Sequence, residues 1–255
     1  MTSRLYRENA IVLRSYKLGE SDRIVVLLTE GSGKVRAVAK GIRKTRSKFG
    51  GRLEPLAHVN VQLHRGASLD VVSQVETIDA SAALFGDLDV MTEASAIAEA
   101  VDQLVPDREP VPNIFRMLVG ARRTVIERPS PMVVPAFLWR LLAAEGLQPE
   151  LDRCIGCGEE ASREHPLVAI DLERGGAQCR NCRTGVGVSE AALVVMRDVL
   201  GGRLGEVLDS FHRPGEQQLG HPVVNEVMAL ATRAFELHVE RRLRSVAIFE
   251  RPDGP

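Results

Sequence analysis

Cys154-Ile155-Gly156-Cys157 and Cys179-Arg180-Asn181-Cys182 hold every cysteine in this 255-residue chain, and 21 residues separate the two pairs. A CxxC turn brings two thiolates to one side of a tight loop, about the bite that tetrahedral zinc requires. Two such pairs make a closed shell with no open position for water, which is a structural arrangement rather than a catalytic one. The separation lies slightly beyond the usual window for paired CxxC sites. Gly156 and Gly158 suit the first turn, because glycine reaches positive φ without penalty; the second turn has no glycine. Two disulfides, or four unrelated thiols, are the competing arrangements. No apolar leader stretch occurs in the sequence, so a reducing cytosol is expected, where disulfides are rare. Zinc held by Cys154, Cys157, Cys179 and Cys182 is therefore the expectation.

Charge is distributed unevenly along the chain. Residues 1–80 carry 14 Lys/Arg against 8 Asp/Glu, whereas the remainder carries 19 against 26. A polyanion-binding module joined to a more acidic one fits this split. With 44% hydrophobic and 26% charged residues and no apolar run of membrane-spanning length, a globular, non-membrane chain is expected.

Ala10–Leu13 and Ile24–Leu28 are short β-branched-rich runs, and Gly31-Ser32-Gly33 supplies a hairpin turn. Val35, Ala37 and Ala39 then alternate with Lys34, Arg36, Val38 and Lys40, and Val59, Val61 and Leu63 alternate with Asn60, Gln62 and His64. A last strand runs from about Leu69 to Ile78. Five short strands with one longer excursion between the third and fourth predict an OB-like barrel, with an SH3-type barrel as the alternative.

From Lys34 to Arg52 the chain has eight basic residues and no acidic one: Lys34, Arg36, Lys40, Arg43, Lys44, Arg46, Lys48 and Arg52. Each phosphate that such a run neutralises releases counterions, so it predicts nucleic-acid contact; a solvated basic loop is the plainer reading. Only Tyr6, Tyr16 and Phe49 are aromatic in this region. Phe49, inside the basic run, is the stacking candidate, while Tyr6 and Tyr16 suit barrel packing equally well.

Beyond about Ala80 the period becomes helical. Met91, Ala94, Ile97, Ala98, Val101 and Leu104 mark one helix, with an aspartate for its N-cap and Pro106 at its end. A second covers Val111–Ile126. A third, around Val134–Leu142, is apolar nearly all round, includes Trp139, and reads as central core. Ser189-Glu190 opens another, and Pro222 begins a long one whose stripe includes Val224, Val227, Ala231 and Phe235. The resulting fold class is α+β: an N-terminal OB-fold barrel at 1–80, then a helical domain at 81–255 carrying the zinc module at about 150–186.

Catalytic machinery is not expected. Gly33-Lys34 is followed by Val35 and has no glycine five positions earlier, so it is not a Walker loop, and GxSxG is absent. The only His-x-Glu, His238-Val239-Glu240, lies downstream of both cysteine pairs, the wrong order for a nucleobase deaminase.

Several stretches resemble the bacterial RecO family of DNA repair proteins. They are Ala10–Leu13 through Gly19-Glu20-Ser21-Asp22 to Thr29; Lys40–Lys44; Phe49–Pro55; Leu141-Leu142 and Gly146–Cys154 leading into both CxxC pairs; and Arg242–Ser245. The resemblance spans nearly the whole chain in order. It implies an OB fold, a helical domain and a zinc module that supports rather than catalyses, since some relatives lack the cysteines. It further implies binding of single- and double-stranded DNA, annealing of complementary strands, and cooperation with RecR in loading the RecA recombinase onto strands coated by single-strand-binding protein. A cytoplasmic, nucleoid-associated, non-enzymatic protein follows. The competing expectation is a zinc-stabilised protein-interaction adaptor without direct DNA contact.

Overall fold

The computed structural model describes residues 5–44, 47–49, 51–79, 86–211 and 222–246. It divides into two compact units that meet in sequence between Glu127 and Arg128.

In the first unit, β1 (Leu5–Leu18), β2 (Asp22–Thr29), β3 (Gly33–Ala39), β4 (His58–His64) and β5 (Asp70–Asp79) form a closed barrel in the order β1-β2-β3-β5-β4. The β3–β5 contact is parallel, through Ala37↔Asp70 and Val38↔Val71, and the other pairings are antiparallel. This is the OB topology that the strand spacing predicts. Alternation fills the interior with Ala10, Val12, Val25, Leu27, Val35, Ala37, Val59, Val61, Leu63 and Val72, all at most 2% exposed. Ile11, Val26 and Leu28, of the opposite parity, are also fully buried, and α1 (Leu88–Leu104) packs beside β1. Asp87 caps α1, its carboxylate accepting from the Asp89 and Val90 amides. α2 (Pro112–Glu127) packs on α1.

The excursion between β3 and β4 is a plug as well as a loop. Phe49, Leu53, Leu56 and Ala57 are each at most 4% exposed, and Phe49, Leu53 and Ala57 join the barrel core. Val12 pairs with the end of the excursion, donating to the Ala57 carbonyl (3.0 Å) and accepting from the Leu56 amide (2.6 Å).

The second unit contains α3 (Val133–Ala144), β6 (Leu167–Asp171), β7 (Gly176–Cys179), β8 (Val186–Gly187), α4 (Glu190–Leu200), α5 (Leu204–Ser210) and α6 (Pro222–Val239). Nine of the twelve α3 residues are buried, Trp139 among them, and α3 packs against α4 and α6, as its all-round apolarity predicts. Ser189 caps α4 by accepting from the Ala192 amide, and its own hydroxyl donates to Glu226 on α6 (2.6 Å). The sheet β7-β6-β8, with strands of four, five and two residues, and the seven-residue α5 are too short to leave a period in the sequence.

Candidate nucleic-acid interface and metal centre

The basic run divides into groups with different fates. Lys34 is 7% exposed; its Nζ donates to the Asp102 carbonyl (2.5 Å) and pairs with the Asp102 and Asp107 carboxylates at 3.5 and 3.6 Å. Arg36 pairs with Asp107 (3.4 Å), and Arg14 on β1 pairs with Asp102 (2.6 Å). The segment after α1 is laid against β3, where the Arg108 amide donates to the Lys34 carbonyl (2.9 Å). Gly33 is required there: its φ is +68°, and a Cβ would stand 1.9 Å from the Glu109 carbonyl oxygen. Lys34 is thus a structural cation, and Arg36 is half neutralised by Asp107.

Phe49 is also displaced from its expected role. At 1% exposed it packs inside the barrel, with the Lys48 ammonium over its ring (5.0 Å), so it offers no face to a base. Among the expected contacts, Lys40, Arg43, Lys44, Lys48 and Arg52 are exposed, and Arg46 lies outside the described residues. Arg43 and its neighbours are anchored to the β1–β2 turn: the Gly41 amide donates to Asp22 Oδ1 (2.7 Å), the Arg43 amide to the Ser21 carbonyl (3.0 Å) and the Arg43 guanidinium to the Glu20 carbonyl (2.9 Å). Backbone donation from Gly41, together with the Ser21 hydroxyl, holds the Asp22 carboxyl below its usual range. Lys48 donates to the Ser73 carbonyl (3.0 Å), and Arg52 to the Lys48 carbonyl (2.9 Å).

Tyr16 is an aromatic of the barrel that faces outward. A bulge between Val12 and Arg14 reverses the parity of β1, so that Tyr16 points outward although Ala10 and Val12 point in. It stands in a cross-strand row, Tyr16–Ile24–Val38–Val71, running over β1, β2, β3 and β5. Directly paired residues share a face. Tyr16 is 38% exposed, with the Arg14 guanidinium 5.6 Å from its ring centroid, and Leu18, also 38% exposed, follows two residues on. Tyr6, by contrast, is an internal group. Its hydroxyl donates to Asp70, which also accepts from Arg108 (2.8 Å) and the Gly66 amide (3.0 Å). Partial burial and the Asp70 carboxylate together raise the Tyr6 hydroxyl above its ordinary range.

The four cysteines converge in the second unit. Cys154 and Cys179 are buried, Cys182 is half-buried, Cys157 is exposed, and all four sulfurs lie within 4.8 Å of one another. Tetrahedral zinc with bonds of about 2.3 Å needs sulfurs about 3.8 Å apart, so the set fits such an ion. Backbone pairing aligns the two turns: the Ile155 amide donates to the Ala177 carbonyl (2.9 Å), and the Ala177 amide to the Glu150 carbonyl (2.8 Å). Gly158 adopts φ +80° and donates to the Cys154 carbonyl (2.8 Å). Gly156 serves by close approach instead, since a Cβ there would meet Cys182 Sγ at 2.8 Å.

Burial pushes the Cys154 thiol up, but amide donation from Cys179, Cys157 and Gly156 outweighs it and holds the thiol at about 6. Cys182, crowded by the Cys179 thiol, is pushed up to about 12. A bound cation would let the clustered sulfurs ionise together. Soft thiolates in a tetrahedral set suit zinc or an iron–sulfur cluster among common metals.

Fold and site together define an OB-barrel protein joined to a helical unit with a four-sulfur metal module. Family models for the recombination protein O N terminal and C terminal regions match residues 1–81 and 86–247. The chain belongs to the RecO family, whose role is in DNA recombination and repair. Among the described residues, no helix is long and apolar enough to cross a membrane.

Proposed function

We propose that this chain is a non-enzymatic recombination mediator that binds single- and double-stranded DNA on the outer face of its barrel. It anneals complementary strands there and, with RecR, loads RecA onto strands coated by single-strand-binding protein. Zinc on Cys154, Cys157, Cys179 and Cys182 has a structural role, and the protein works in the cytoplasm at the nucleoid. The observation that carries the reading is exposed Tyr16, at the head of a half-buried cross-strand row, with Lys40, Arg43 and Lys44 beside the β1–β2 turn. OB folds take oligonucleotides on the face of their second and third strands and on the adjoining loops.

The mechanism follows from charge. Two nucleic-acid strands repel each other, and a cationic surface that grips phosphates without reading sequence lowers that barrier. Base edges then stay free to pair. Lys40, Arg43, Lys44, Lys48 and Arg52 supply the charge, and Tyr16 supplies a face on which one base can stack. A protein-interaction adaptor without DNA contact is the competing reading, and the engagement of Lys34 and Arg36 with Asp102 and Asp107 favours it.

Anisotropy titrations of full-length protein with labelled single- and double-stranded oligonucleotides, between 50 and 200 mM salt, separate the two. Affinity should fall steeply with salt, with a log–log slope of roughly −0.7 to −0.9 per phosphate contact. Substituting Lys40, Arg43 and Lys44 by glutamine should make that slope shallower by about 2–3, with similar losses on unrelated sequences. A flat salt response would rule out the phosphate grip and leave the adaptor.

A further inference from the structure

We propose that His165 is a reserve ligand of the metal centre, able to take the place of Cys157 and convert the sulfur set to Cys3His. The proposal rests on the reading of the four sulfurs as a zinc site.

His165 Nε2 lies 3.5 Å from Cys157 Sγ, and its Nδ1 lies 2.9 Å from Glu159 Oε2. With Nδ1–H donating to the Glu159 carboxylate, the Nε2 lone pair is left free on the side of the sulfur. This carboxylate–histidine arrangement fixes ring orientation and raises ligand basicity in zinc proteins. The ligand atoms of Cys157, Glu159 and His165 all fall within 4.8 Å of one another, a second group of metal-ligand type that shares Cys157 with the first.

The loop that presents the ring is built to return it to the turn. The Cys154 amide donates to the Glu159 carbonyl (2.8 Å), the Ala161 amide to the Asp152 carbonyl (2.8 Å) and the His165 amide to Ser162 Oγ (3.0 Å). His165 is thereby held beside the one exposed cysteine of the four. Exposure matters because the accessible sulfur is the one that electrophiles and oxidants reach first. Losing it would open a coordination position to water. An imidazole already at 3.5 Å can close that position with a modest shift of an exposed loop, and Cys3His is an established structural zinc set.

The test uses full-length wild type, Cys157→Ala and Cys157→Ala/His165→Ala, measured for zinc content and by X-ray absorption. Wild type should hold one zinc with sulfur at about 2.3 Å. Cys157→Ala should keep its zinc, with three sulfurs, one nitrogen at about 2.0 Å and the outer-shell scattering of an imidazole ring. The double variant should bind zinc roughly 10- to 100-fold more weakly. Identical affinity and spectra in the two variants would overturn the reserve role while leaving the four-sulfur site intact. Wild type without stoichiometric metal would instead overturn the zinc reading itself. If Cys157→Ala does not fold, alkylation of zinc-loaded wild type and His165→Ala with iodoacetamide decides. Once Cys157 is modified, wild type should keep its zinc while His165→Ala releases it at least about tenfold faster, and equal release would refute the proposal.

Discussion

Arg122 and Asp79 tie the second helix to the last barrel strand. Arg122 is 3% exposed, its guanidinium donating to the Asp79 carboxylate, to the Asp79 carbonyl (3.3 Å) and, from Nε, to the Leu56 carbonyl (2.6 Å). Leu56 is held at φ +63°, a conformation unfavourable for a branched residue. One buried cation thus joins α2, the end of β5 and the end of the excursion.

Replacing Arg122 by methionine keeps the bulk and removes those bonds. The Leu56 carbonyl then loses its charged donor, and the expected cost is about 2–4 kcal/mol. Chemical denaturation of the full chain measures it. A change below about 0.5 kcal/mol, the range of ordinary surface substitutions, would mean that the α2 tie is dispensable.

Glu93 gives the fold a pH dependence of definite sign. It is 7% exposed on α1, one carboxylate oxygen has no hydrogen-bond partner, and burial, followed by the charges of Asp89 and Asp87, raises its carboxyl to about 8. The folded state therefore holds a proton that the unfolded chain releases near 4.5. Stability from this group is full below about 4.5 and is lost as pH rises through about 8. Urea unfolding at several pH values should show wild type losing up to about 1.4 kcal/mol per pH unit in that window, relative to Glu93→Gln. A difference between the two proteins that stays constant with pH would contradict the buried protonated form.

Tyr16→Ala and Phe49→Ala should separate binding from packing. Loss of a stacked base costs roughly 1–3 kcal/mol, so Tyr16→Ala should weaken single-strand binding about tenfold, and duplex binding less, at unchanged stability. Phe49→Ala should instead cost about 3–5 kcal/mol of stability. An unchanged single-strand affinity in Tyr16→Ala would remove the stacking face from the proposal.

The contrast between those two aromatics shows where the sequence is legible. Strand alternation is local, so the barrel could be read from Val35-Ala37-Ala39 and Val59-Val61-Leu63, and the helices from their three- and four-residue spacing. A bulge is not visible in that pattern. Continuing the parity of Ala10 and Val12 places Tyr16 inside, and only the slip between Val12 and Arg14 turns it out. Phe49 failed for a related reason: it stands among cations in sequence, while the apolar neighbours Leu53 and Ala57 draw it into the core. Lys34 was misplaced because its partners, Asp102 and Asp107, are about seventy residues away. The cysteine set was legible because two short turns carry most of its geometry, whereas the β6–β8 sheet that supports it is too short to leave a period.

Metal removal should act on one unit before the other. Cys154 and Cys179 are the buried donors, and neither neighbours His165 as Cys157 does, so Cys154→Ser or Cys179→Ser has no substitute at hand. Zinc binding in such modules is coupled to folding. The β6–β7 pairing should therefore lose protection first, followed by α4, whose Arg197 donates to the Leu151 carbonyl just ahead of the first turn (3.0 Å). The barrel has a separate core, from Ala10 to Val72, and should keep its slow-exchanging amides. Hydrogen exchange on chelator-treated and Cys179→Ser protein, read segment by segment, checks the order. Simultaneous loss of protection in β1–β5 and β6–β7 would show that the metal supports the whole chain, and would reassign it from a local staple to a condition of the entire fold.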